Sequence, residues 1–125
     1  MTRKLSTHLL DNGLTLEFWD HSRVTAGDRW LAVLEMRLAI PLTPEALPEA
    51  LRPRAAEVVR ALGLEAVFTR REERHFIPAH ELAETLKEME SRLLATSRPY
   101  LGHPDFAPRF IARKWQEHQE KRQWN

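Results

Sequence analysis

Cysteine is absent from the 125-residue chain, which excludes disulfides and thiolate chemistry outright. Its absence fits the reducing cytoplasm, which is the expected location. There are only four glycines, so each should mark a turn. An excess of charge of one sign is missing too, with 19 basic residues against 18 acidic ones and a formal net charge of +1. Such a balance sets up no long-range field to draw in nucleic acid or an anionic membrane. No window approaches the roughly 18 apolar residues of a membrane span, so no membrane partner is expected. Residues 1–10 hold no apolar run behind a basic start, so no signal peptide is expected. The chain contains no Gly-x-Ser-x-Gly, no Gly-rich phosphate loop and no dinucleotide fingerprint, so no cofactor is expected. Asp20, His21 and Ser22 are contiguous, and neighbours on a strand point to opposite faces, so they form no triad.

What is present is a core. Hydrophobic residues make up 42% of the chain and charged residues 30%, which suits one α+β domain over residues 1–125. The organising stretch runs from Asp28 to Leu42. Its alternate residues Trp30, Ala32, Leu34, Met36, Leu38, Ile40 and Leu42 are all apolar, while the set between is mixed. That is a long strand with one face in a core. Leu14, Leu16 and Phe18 alternate after Asn12-Gly13, a two-residue hairpin signal that sets Leu9 opposite Leu16 and Thr7 opposite Phe18. A three-residue loop at Thr25-Ala26-Gly27 then puts Phe18 opposite Leu34, because a one-residue slip would turn Phe18 to the wet face. Residues 67–77 read as a short second hairpin with a charged tip, or as one bent strand. Helices are predicted from Pro53 to Leu62, from Pro78 to near Ser97, and from about Pro108 to Arg122. The fold class is therefore α+β. It has an antiparallel sheet of four to five strands, made of a three-stranded meander and the second hairpin. About three helices pack on one face.

The predicted pairing gathers His8, Glu17, Trp19, Glu35 and Arg37 on the second face of the meander. Carboxylates, an imidazole, a guanidinium and an indole on one face could form a polar binding surface. The stretch His80-Glu81-Leu82-Ala83-Glu84 resembles the start of the His-Glu-x-x-His motif of zinc peptidases, with Glu84 in place of the second histidine. His80 and Glu84 share a helix face with His75 near in sequence, but no third ligand is identifiable. The letters His103-Pro104-Asp105 resemble the loop of J-domains over three residues only. The basic, tyrosine-bearing helix end that precedes that loop is absent, so nothing carries over.

The last helix interleaves Arg109, Arg113, Lys114, Lys121 and Arg122 with Trp115 and Trp124. That composition can bind RNA. However, Glu117 sits four residues after Arg113 and four before Lys121, with Glu120 four before Trp124, the salt-bridge ladder of a solvated helix. Trp115 shares a face with Ile111 and can serve the core. Trp124 sits in an otherwise polar tail, residues 116–125, which reads as projecting, and tryptophan there suits a protein contact. The expected function is a non-enzymatic protein-interaction or assembly module, with a protein partner or a second copy of the chain. RNA binding through the last helix ranks second, and a small metal-dependent enzyme using His80 and Glu84 ranks third.

Overall fold

A computed structural model describes residues 2–124, with side chains over residues 2–123. Among the described residues the strands are β1 (Arg3–Leu9), β2 (Thr15–Asp20), β3 (Arg23–Ala26), β4 (Arg29–Pro41) and β5 (Glu65–Pro78). The helices are α1 (Ala55–Leu62), α2 (Leu82–Leu101) and α3 (Phe106–Trp124), with short 3-10 turns leading into α1 and α2. The fold is α+β. All five strands form one antiparallel sheet in which β4 is central. It pairs with β2 and β3 along one edge and with β5 along the other, and β1 extends the sheet beyond β2.

The organising strand behaves as its pattern demands. Leu34, Met36, Leu38 and Ile40 are fully buried, as are Leu16 and Phe18 of β2. They form one core cluster with Leu86, Met89 and Leu93 of α2, Ile111 and Trp115 of α3, and Val58 of α1. The helices therefore cover the face carrying the even-numbered residues of β4.

Both hairpin turns differ from the sequence reading, and they differ by exchanging roles. The first loop holds three residues, Asp11-Asn12-Gly13, closed by Leu10 N–H donating to Leu14 O at 2.8 Å. Gly13 takes the left-handed position at φ +85°. A two-residue type I′ turn would need Asn12 at positive φ as well. Asn12 is committed elsewhere: its Nδ2 donates to Leu101 O at 2.8 Å, and its Oδ1 accepts from Leu14 N at 3.2 Å. The second turn holds only Gly27 and Asp28, with Ala26 facing Arg29 and a bulge between Val24 and Ala26. Gly27 at φ +56° suits the first central position of a type II′ turn.

The consequences follow from parity. The β2–β4 register lies two residues from the predicted one, so Phe18 faces Met36 and Leu16 faces Leu38. The predicted Phe18–Leu34 pairing is thus corrected, while both residues stay on the buried face. The β1–β2 register lies one residue from prediction, with His8 facing Leu16 and Ser6 facing Phe18. That odd shift turns β1 over from Ser6 to Leu9, and a bulge between Lys4 and Ser6 restores the original facing at Lys4.

Of the two readings of residues 67–77, the hairpin is set aside and the single strand is found. Residues 65–78 form one continuous strand paired along nearly all of β4. Its charged middle holds no Gly or Asn for a tight turn, and its charges find partners instead: Arg74 with Glu88, and Glu72 with Arg92, both on α2. A bulge at His75 and Phe76 opposes Leu31, and Phe76 takes φ +58°.

Two helix boundaries move as well. α2 runs four residues past the predicted end at Ser97, through Pro99. A proline in the last turn removes one N–H, whereas Leu101 gains complete burial and its carbonyl gains the Asn12 cap. α3 begins at Phe106 rather than Pro108, where its proline sits in the first turn and withholds no intrahelical bond. No helix among the described residues is long and apolar enough to cross a membrane.

Candidate functional site

The second face of the sheet carries the odd-numbered residues of β4, and among the described residues no helix packs on it. Two cross-strand rows define it. Thr7, Glu17, Arg37 and Thr69 lie side by side in one, and Lys4, Trp19, Glu35 and Arg71 in the next. Facing residues of antiparallel strands share a face, so these eight side chains form one surface.

Glu35 is its centre. It is 6% exposed on the middle strand. Its Oε1 accepts from His21 Nε2 at 3.0 Å and from an Arg37 guanidinium N–H at 2.7 Å. Its Oε2 lies 3.5 Å from Arg71 Nε. Burial pushes the carboxyl up, but the hydrogen bonds from His21 and Arg37, with the Arg37 charge, outweigh it and hold the group below the usual glutamate value. The carboxylate is ionised throughout neutral pH.

Trp19 is the second feature. Its indole N–H donates to Glu17 Oε1 at 3.0 Å. The Arg37 guanidinium carbon stands 4.7 Å from the ring centroid, and Lys4 Nζ stands 6.0 Å from it. Lys4 also lies 3.6 Å from Glu17. The indole is half-buried and fixed in place by cations on the same surface.

Four of the five residues predicted for this face are brought together: Glu17, Trp19, Glu35 and Arg37. His8 is not, and its assignment is corrected. It lies on the core side, with its ring edge-on to Phe18 at 5.7 Å and Nε2 at 3.1 Å from Ser6 Oγ. Ser6 Oγ in turn donates to Glu90 of α2 at 2.8 Å. The one-residue slip of β1 is the cause. Lys4 replaces His8 on the open face.

Three residues were missed. His21 follows Glu17 and Trp19 at period two, so alternation alone could have placed it. Arg71 required reading residues 65–78 as a single strand. Lys4 required the bulge between Lys4 and Ser6, which returns the start of β1 to the open face.

The other predicted positions are dispersed. His80 and Glu84 are both exposed, and no group of three or more His, Asp or Glu among the described residues could hold a metal ion. Trp115 is 8% exposed, beneath Arg54 at 5.0 Å and beside the His118 ring at 5.9 Å. It serves the core. The side chain of Trp124 lies outside the described residues, although the helix reaches that position.

Chemically, this face is saturated. The buried carboxylate is engaged by two guanidiniums and an imidazole, and a carboxyl held below its usual range is not poised for acid–base work near pH 7. The arrangement offers a rigid, charge-paired aromatic platform. No protein-family model matches the chain, and neither a curated protein nor a solved structure resembles it significantly.

Proposed function

We propose that this protein is a non-enzymatic protein-interaction or assembly module that docks its partner on the open face of the sheet. One observation carries the reading. The helices occupy one face of the sheet, and the other presents a half-buried tryptophan held between Arg37 and Lys4. Trp and Arg concentrate binding energy at protein interfaces. Arg37 is already held by Glu35 and against Trp19, so docking costs little extra side-chain entropy. A cytoplasmic location belongs to the same proposal and rests on the absence of cysteine.

RNA binding through α3 has weaker support. Trp115 is buried, Lys114 lies 3.6 Å from Glu117, and Arg109 lies 3.7 Å from Asp105. The net charge of +1 gives little steering towards a polyanion.

Affinity capture from native cells tests the proposal, using the wild-type chain and Trp19→Ala in parallel. Both should melt cooperatively. Proteins held by the wild type should be lost from the variant, because truncating an interface tryptophan typically costs about 2 kcal/mol or more. Equal recovery from both would place the contact elsewhere.

A further inference from the structure

On the helical side of the molecule, the end of α2 and the start of α3 enclose a cleft of about 630 Å³. That volume falls within the range of small-molecule sites, roughly 300–1,000 Å³. Three rings line it: Tyr100, Phe106 and Phe110. Phe106 and Phe110 lie nearly parallel, with centroids 5.7 Å apart and planes 16° apart. Tyr100 meets Phe106 edge-on at 6.0 Å. Phe68 of β5 abuts both phenylalanines, at 5.7 Å and 6.0 Å, and anchors them to the sheet. The rings are thus built into the fold, yet Tyr100 remains 44% exposed.

The rim carries positive charge. Arg109 and Arg113 stand one helical turn apart and both line the cleft. Arg109 lies 3.7 Å from Asp105, whereas Arg113 forms no ion pair among the described residues. Lys114, already 3.6 Å from Glu117, places its Nζ 5.4 Å from the Phe110 ring. His103 Nδ1 accepts the backbone N–H of Asp105 at 3.0 Å, which leaves Nε2 as its N–H donor.

We propose that this cleft binds a planar aromatic molecule bearing one anionic group. The ring stacks among Tyr100, Phe106 and Phe110, and Arg113 meets the anion, with Arg109 as the second cation. A guanidinium pairs with carboxylate or phosphate through two parallel hydrogen bonds, so both anions fit the same chemistry. A second groove, between α1 and α3, is rich in arginine too. There, however, Arg54 is already bound through two nitrogens to Glu57, at 3.0 and 2.8 Å. The α2–α3 cleft combines partly exposed rings with an arginine that has no ion pair among the described residues, and it lies apart from the open sheet face.

The test is titration of the full-length ¹⁵N-labelled protein with four probes: 1-naphthoate and its neutral amide, and AMP and adenosine. The expected result is saturable shifts confined to amides of residues 99–113, with the anionic member of at least one pair binding more tightly than its neutral counterpart. Arg113→Gln, an exposed change that spares the fold, should weaken that anionic probe about tenfold and leave the neutral one unchanged. Response to naphthoate alone identifies a carboxylate ligand, and response to AMP alone a nucleotide. The proposal is overturned if neither anion binds, if the shifts lie elsewhere, or if Arg113→Gln weakens charged and neutral probes alike.

Discussion

Glu35 shows how a single buried residue sets the character of a surface. Its carboxylate neutralises Arg37 of β4 and Arg71 of β5 and accepts a hydrogen bond from His21, so removing its charge leaves the two guanidiniums facing one another. Glu35→Gln should destabilise the fold by about 1–3 kcal/mol, the usual cost of leaving buried polar groups unsatisfied. Chemical denaturation would measure it. The carboxyl is held below its usual value of 4.5 in the fold, so it contributes stability above that pH. That contribution is lost as pH falls through the lower folded value, when the unfolded chain binds the proton more readily. The variant should therefore lose stability less steeply than the wild type below pH 4.5. Parallel acid-unfolding slopes would contradict this assignment. Phe76 makes an opposite case. It sits at φ +58° with 75% exposure, so it bears left-handed strain and gains little burial. Phe76→Gly should raise stability by up to about 1 kcal/mol, strain relief of roughly 1–2 kcal/mol less the entropy cost of glycine. A marked loss of melting temperature would show that the ring is held by contacts on the sheet.

At the scale of elements, parity decided which sequence inferences survived. A two-residue slip leaves every side chain on its face, so Glu17, Trp19, Glu35 and Arg37 come together although their predicted partners were wrong. A one-residue slip inverts a strand, so His8 moved to the core side. The origin of that slip was not legible locally. Asn12 reads as half of an Asn-Gly turn, and only the distant Leu101 carbonyl shows why it is used differently. The long β5 was obscured because its charges look like a solvent-exposed tip until Glu88 and Arg92 are seen opposite them. Two substitutions probe these elements. Leu34→Ala, at a fully buried position on β4, should cost about 2–5 kcal/mol. Asn12→Ala should cost about 1 kcal/mol by uncapping α2, and amide exchange should rise over Ser97–Leu101 more than in the middle of that helix. Uniform exchange along α2 would deny Asn12 its capping role.

For the molecule as a whole, one layer of helices and one sheet leave two dissimilar exteriors. The helical side holds the aromatic cleft, and the sheet side holds the charge-paired platform around Glu35 and Trp19. Docking on the platform can be read directly by placing a photo-reactive phenylalanine at one of two exposed positions. Thr69 lies beside Arg37 on the open face, and Lys87 lies on α2. Irradiation in native cells should give a discrete protein adduct from position 69 and none from position 87. The adduct mass distinguishes a second copy of the chain from another protein. An adduct from position 87 alone, or none from position 69, would contradict docking on the open face of the sheet.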